Sequence, residues 1–499
     1  MKRLSRLSVS VLTLLTVAAC QDSPVPVAPV ERGAPGLSLG SQSIKIDPAL
    51  TTALAAATGA DQLEIIVSFD RSLTTGDAFA EAVQLTDAGV IGFVHLPMIA
   101  ALATPAQVNA IAALPGVVSV YLQSTEQLLN KEGVGSINAD DVHALGITGK
   151  GVGIAILDTG IDGLHPDLAF GSKTVQNVKA VANSKDVYEF SGRDSVTGLK
   201  TPKPVKKGAS LVIENLRNSD TDNGHGTHVA GTAAGSGAAS SGKYAGVAPG
   251  ARLIGINAAV GASLPTLNLL AGFDYILAKR REYNIQVVNN SWGGAGTFSP
   301  TNPIAIATKE VHDAGVTVVF AAGNDGPSQN TMNRHSVAPW VISVAAGCKL
   351  TDDANAANWR ARCRDANGRA PVLASFSSRG IPGDAIYHPD ILAPGVRIVS
   401  TRASTGTFVS ALALRDDVTA CAIALDHLDS YTCINGTSMA SPHIAGLVAL
   451  LEEASGGTLT PDQALAVLTS TARPLTGFAL WEVGAGYADA LAAVQALRR

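Results

Sequence analysis

Three short segments carry side chains able to do covalent chemistry: Ile156-Leu157-Asp158-Thr159-Gly160, Asn223-Gly224-His225-Gly226-Thr227-His228 and Asn435-Gly436-Thr437-Ser438-Met439-Ala440-Ser441. A hydroxyl nucleophile needs a base to take its proton and a carboxylate to orient that base. Each segment alone has a plainer reading: an Asp in a turn, a His in a Gly-rich loop, a Thr-Ser helix cap. Together they point to nucleophilic catalysis by a serine hydroxyl. The three residues are far apart in the chain, so a fold must gather them. Asp158 closes an apolar strand, which puts it at the carboxyl edge of a sheet, where open α/β folds place ligands. His225 opens a helical run between Gly224 and Gly226, which let the backbone approach closely. Ser438 also opens a helix, where the dipole favours developing negative charge.

The positioning elements are readable as periodicity. From about residue 147 onward, apolar strands are expected over 151–157, 252–257, 285–290, 317–321 and 341–346. Helices are expected over 229–236, 267–281, 303–314, 439–453 and 461–471. Continuous apolar strands separated by helices predict an α/β fold, a doubly wound parallel sheet covered on both faces. Upstream, strands over 62–69, 90–94, 98–103 and 117–122 alternate with helices over 77–85 and 105–114. The order β-α-β-β-α-β predicts a small α+β, ferredoxin-like domain.

Composition limits the function classes. The 499 residues hold 36 Lys+Arg against 41 Asp+Glu, a net charge of -5, so bulk electrostatic binding to nucleic acid is not expected. With 46% hydrophobic and only 15% charged residues, extensive disorder is not expected either. Lys2, Arg3 and Arg6 precede an uncharged apolar run over 7–19, too short to span a bilayer. This reads as an export signal over 1–19, followed by a Pro/Gly-rich linker over 20–43. Beyond Cys20, four cysteines remain. In an exported chain the local pairings Cys348–Cys363 and Cys421–Cys433 are expected among the three connectivities. Zinc is the alternative, but neither pair has C-x-x-C spacing or a matching His pair.

The three chemical segments resemble the Asp, His and Ser signatures of subtilases, the subtilisin-like serine peptidases. Gly246-Val247-Ala248-Pro249-Gly250, Val288-Asn289-Asn290-Ser291-Trp292-Gly293, Ala321-Ala322-Gly323-Asn324 and Pro389-Asp390-Ile391-Leu392-Ala393-Pro394-Gly395 add matches in the same order. The resemblance implies a subtilisin-like sheet and a catalytic set of Asp158, His225 and Ser438. It implies that Asn324 donates to an oxyanion. Ser291, Trp292, Gly293, Ala322 and Gly323 would wall a substrate pocket with room for a medium or large apolar side chain. Gly261 would belong to the edge strand that pairs with substrate. His228, His443 and Asp162 are read as structural. The ferredoxin-like segment, over 44–127, resembles the family's inhibitory and folding-assisting propeptide, with the peptidase domain over 128–499. Val17-Ala18-Ala19-Cys20 resembles a bacterial lipoprotein box, implying lipidation of Cys20 and a membrane tie on the precursor only.

The expectation is therefore a secreted, monomeric, self-maturing serine endopeptidase of broad specificity, acting on proteins and peptides. It needs no cofactor for its chemistry. No metal ligand is assigned, and a structural calcium is left open without a place. The stretch over 179–217 is expected to be a surface loop. Two alternatives stay open: a dedicated processing protease, and a catalytically silent subtilase-fold binding protein.

Overall fold

A computed structural model of the chain describes residues 46–73, 90–128, 137–182, 189–193, 200–203, 211–349, 373–405, 409, 417–418 and 421–498. The expected signal and linker with Cys20, the helix expected over 77–85, and Cys363 lie outside these residues.

Gly153–Asp158 is the central strand of an eight-stranded sheet. The strand order is Val212–Ile213, Thr174–Ala180, Arg252–Asn257, Gly153–Asp158, Ile285–Asn290, Thr317–Ala321, Ile342–Gly347 and Ile391–Pro394. Every pairing is parallel except that of Val212–Ile213. The central strand shows why the sheet must be covered on both faces. Ile154 and Ile156 pack with Val229, Ala230 and Leu447 on one side. Ala155 and Leu157 pack with Leu270 and Phe273 on the other. Successive side chains point to opposite faces, and here both faces are apolar. Helices His225–Ala234 and Thr437–Ser455 cover the first face, and helices Thr266–Lys279 and Pro303–Asp313 the second.

The amino-terminal unit is a four-stranded antiparallel sheet in the order Val90–Gly92, Met98–Ala103, Leu63–Phe69, Val117–Leu122. It alternates in the same way. Ile65 and Val67 pack on Leu50, Val108 and Ile111. Ile66 and Met98 face the other way and join the core around Leu267 and Ile304. The helix Pro105–Ala112 starts where expected, with Pro at its first position and a Thr104–Gln107 capping box. A helix at Pro48–Ala56 was not anticipated. Asp47 caps it, accepting from Ala49 N at 2.7 Å and Leu50 N at 3.1 Å.

Polar contacts fix this unit on the larger one. Ser119 Oγ donates to Thr301 O at 2.8 Å, and Tyr121 OH lies 3.0 Å from Ser299 Oγ. Asp274, on the helix beneath, accepts from the backbone of His95 at 2.5 Å and of Leu96 at 3.3 Å.

The stretch over 179–217 is not simply a surface loop. Lys179 and Ala180 finish a sheet strand, Glu189–Arg193 and Lys200–Lys203 form an antiparallel hairpin, and Val212–Ile213 pairs back onto Ala180 and Lys179. That last strand covers an otherwise unpaired sheet edge. Cys421 and Cys433 are disulfide-bonded, the local pairing their spacing predicts.

Glu452 is 1% exposed near the end of the Thr437–Ser455 helix. Its carboxyl oxygens lack a well-formed hydrogen bond among the described residues, and the Leu459 backbone offsets the burial only in part. Burial pushes this carboxyl up to about 7, and a negative charge at a helix carboxyl end is unfavourable. The folded state therefore prefers the protonated acid, and that advantage is lost as pH rises through 7. Glu452→Gln cannot ionise. Its melting temperature should exceed that of the parent protein by several degrees at pH 8.5, and the gap should close by pH 5 in thermal melts.

Candidate active site

The central strand ends on Asp158, whose side chain is fully buried. Its Oδ1 accepts from the N–H of Thr159 at 2.7 Å and from His225 Nδ1 at 2.6 Å. An ionised carboxylate only accepts, so Nδ1 carries the proton and Nε2 is left as the basic nitrogen. The turn after the strand reaches the same helix start, because Thr159 Oγ1 accepts from the N–H of Gly226 at 2.7 Å. The approach is very close. A Cβ on Gly226 would lie 2.3 Å from the Gly160 carbonyl, so only glycine fits.

The helix His225–Ala234 begins earlier than its apolar pattern predicts, and Asp220 is the reason. Gly224, at the cap position, has no side chain to offer. Asp220 instead accepts from Gly224 N at 2.8 Å, Thr227 N at 2.9 Å and Thr227 Oγ1 at 2.6 Å. A buried carboxylate thus satisfies first-turn N–H groups that lack intrahelical acceptors. Burial, with a smaller push from Asp158, raises this carboxyl to about 6 against its own hydrogen bonds. Sequence reading passed over Asp220. Its signal was an Asp a few residues ahead of a glycine-rich helix start.

Ser438 lies in the first turn of the long helix Thr437–Ser455. Two reciprocal bonds tie it to the end of the neighbouring strand. Ser438 Oγ donates to the Ser291 carbonyl at 3.0 Å, and Ser291 Oγ donates to the Ser438 carbonyl at 2.7 Å. Asn289 Nδ2 donates to Ser291 Oγ at 2.9 Å, and Ser441 Oγ lies 2.8 Å from it. Ser291 is thus a hub beneath the serine.

Asn324 is oriented by Thr437. Its Oδ1 accepts from Thr437 N and from Thr437 Oγ1, both at 2.9 Å. Thr437 Oγ1 in turn accepts from Gly323 N at 3.2 Å. These bonds fix the Asn324 amide with its oxygen on the helix start; the other end of that amide, Nδ2, is a donor. Thr437 was not singled out from sequence.

The remaining expected residues divide. Ser291 and Gly323 bond to this helix start, through Ser438 and Thr437, whereas Gly293 pairs with Gln127 and Ala322 is buried beside Met332 and Val337. Trp292 does not wall a pocket with its side chain. The indole is fully buried, donates through Nε1 to Leu157 O at 2.8 Å, and packs edge-on against Phe320. A ring that large is held by the core, and only its backbone reaches the cleft. Gly261 is not in the edge strand. It sits at φ +63° in a turn, and the paired strand is Ser263–Pro265. His228 and His443 are buried, and burial drives both imidazoles down to about 3. His228 Nε2 meets the Ile398 carbonyl at 3.1 Å, and His443 Nδ1 the Met439 carbonyl at 2.7 Å. Asp162 accepts from Leu164 N at 3.0 Å and Ser404 N at 2.7 Å, as a turn carboxylate does. Among the described residues no group of three or more His, Cys, Asp or Glu gathers as a metal site would.

One further element enters the cleft. Thr125–Leu128 lies between Ser263–Pro265 and Trp292–Gly293, antiparallel to both. The register pairs Glu126 with Leu264, Gln127 with Gly293 and Leu128 with Trp292. Ser291, and with it Ser438, is the next residue along that edge.

A model of the subtilase family matches residues 149–488. The chain belongs to the subtilase family. It is 33% identical over 357 residues to serine protease AprX of Bacillus subtilis, a match covering 69% of this chain and 66% of AprX. It is 31% identical to an extracellular protease of Xanthomonas campestris, over 70% of this chain and 52% of that protein. The chain thus spans less than two thirds of the length of these relatives. Fervidolysin of Fervidobacterium pennivorans, a keratinolytic enzyme related to subtilisin, superimposes with a TM-score of 0.59 at 23% identity, over 87% of this chain and 61% of its own. The fold is subtilisin-like.

If Thr437 sets the Asn324 amide, Thr437→Val should lower kcat by about ten-fold and leave KM nearly unchanged, as loss of a group acting only on the transition state does. Steady-state kinetics on a peptide substrate check this.

Proposed function

We propose that the protein is a serine endopeptidase that hydrolyses peptide bonds through an acyl-enzyme. The observation that carries this reading is the buried 2.6 Å bond from His225 Nδ1 to Asp158 at the sheet edge. Ser438 Oγ swings from the Ser291 carbonyl and attacks the scissile carbonyl carbon, while His225 Nε2 takes its proton. The developing oxyanion is met by Asn324 Nδ2 and the first-turn N–H of Ser438. As the C–N bond breaks, His225 returns the proton to the leaving amine. Water then attacks the ester, His225 takes its proton, and the acid and Ser438 are released. Asp158 holds the tautomer and stabilises the imidazolium throughout. No cofactor takes part.

The segment over 44–127 is the inhibitory propeptide in this reading. The strand Thr125–Leu128 is held by main-chain pairing on both sides, the mode by which extended peptides bind sheet edges. Its register along Trp292–Gly293 runs toward Ser291, which bonds to Ser438, the direction a substrate would take. Self-cleavage nearby then frees the catalytic domain. Export is supported by the basic and apolar amino terminus and by the Cys421–Cys433 disulfide, which suits an oxidising compartment. Among the described residues no helix is long and apolar enough to cross a membrane. Any membrane tie runs through Cys20 and is lost on maturation. The small residues Ala322 and Gly323 beside Ser438 favour a medium or large apolar side chain before the cut.

Ser438→Ala, produced in a protease-free host, should remain one uncut chain that takes up no fluorophosphonate. The parent chain should be processed and labelled at Ser438. A Ser438→Ala protein processed like the parent would refute self-maturation.

A further inference from the structure

The strand in the cleft carries a charge in an unusual place. Glu126 is 2% exposed although it lies on a four-residue strand at the molecular edge. Its Oε1 accepts from Arg334 Nη2 at 2.5 Å and from His335 Nε2 at 3.1 Å. A carboxylate so enclosed is costly unless it is paired and hydrogen-bonded, and here it is both. Burial alone would push its carboxyl up. The charges and hydrogen bonds of His335 and Arg334 outweigh that and hold it at about 2.

The two partners are rigidly mounted on the substrate edge. Arg334 N donates to the Gly294 carbonyl at 3.0 Å, just past Trp292–Gly293. His335 N donates to Asn333 Oδ1 at 3.1 Å, and Asn333 Nδ2 donates to the Trp292 and Ala321 carbonyls at 2.9 and 3.0 Å. The His335 ring stands against Trp292, with centroids 5.9 Å apart. The pocket is therefore built from the catalytic domain, and Glu126 is its occupant.

We propose that Arg334 and His335 form a carboxylate-selecting subsite, so that the enzyme prefers peptides with Glu or Asp at the position Glu126 occupies. This rests on the reading of Thr125–Leu128 as a strand in the substrate position. Arg334 is one-third exposed even with Glu126 in place, so in the empty cleft it is solvated. An acidic side chain replaces that water with one oxygen that both donors share and a negative charge facing Arg334. A glutamine can offer the same single acceptor but carries no charge, so it loses the ion pair with Arg334. A lysine brings like charge against Arg334. Selectivity thus comes from rejection of the wrong group as well as attraction of the right one.

The test uses the processed enzyme and internally quenched peptides spanning residues 123–132, Gln-Ser-Thr-X-Gln-Leu-Leu-Asn-Lys-Glu, with X as Glu, Gln or Lys. Products are identified by mass spectrometry. The glutamate peptide should exceed the glutamine peptide in kcat/KM by about ten-fold or more, the worth of a charged hydrogen-bonded pair. The lysine peptide should be the slowest. In Arg334→Met the glutamate advantage should collapse toward one. In Arg334→Glu the order of the glutamate and lysine peptides should reverse. Equal rates for glutamate and glutamine in the parent enzyme, or an advantage unchanged in both variants, would overturn the subsite. A fluorophosphonate-reactive enzyme that ignores X sinks the subsite alone. A protein that is neither labelled nor able to cut any of the peptides sinks the peptidase reading and the subsite with it.

Discussion

The site depends on one shared oxygen. Asp158 Oδ1 accepts from the N–H of its own strand-end turn and from His225 Nδ1, in a place closed to water. The first bond fixes the carboxylate to the central strand, and the second carries that fixity to the imidazole. Buried on both partners, the pair has no solvent to compete with it, and the low local dielectric strengthens it. Sheet position, helix start and ring tautomer are set together.

The rest of the cleft repeats one device: a helix start is held by a polar group from another element. Asp220 holds the start of the His225 helix, and Ser291 and Asn324 hold the start of the Ser438 helix. Each helix arrives with first-turn N–H groups that need acceptors. Asp220 and Asn324 meet that need, while Ser291 ties the Ser438 helix to the strand end through hydroxyl–carbonyl bonds. The glycines that flank them permit the approach. An added Cβ at Gly323 would come 2.5 Å from Ser378 Oγ, as one at Gly226 would collide with Gly160.

Much of this was legible as pattern. Arg252–Asn257, Ile285–Asn290, Thr317–Ala321 and Pro461–Thr471 stand where apolar periodicity and turn residues place them. Asp158 and His225, read as partners from residue type and motif, do meet. Most of what escaped reading was decided by contacts distant in sequence. Asp220 is the local exception: it caps the first turn of the His225 helix from only four to seven residues upstream. Trp292 was placed on a pocket wall by its neighbours in the motif, but its ring is claimed by Phe320 and the Leu157 carbonyl. Gly261 falls in a turn because the pairing strand starts at Ser263. Arg334 and His335 show no periodicity, and their partner Glu126 lies more than two hundred residues earlier.

In the proposed mechanism the Asp158–His225 bond is what makes Ser438 a nucleophile. The most direct measurement is the rate at which a fluorophosphonate acylates Ser438 in Asp158→Asn, compared with the parent enzyme at pH 7. An amide at this position presents the imidazole in the wrong tautomer, so the rate should fall by about three to four orders of magnitude while circular dichroism stays native. Labelling of the folded variant at the parental rate would contradict the account.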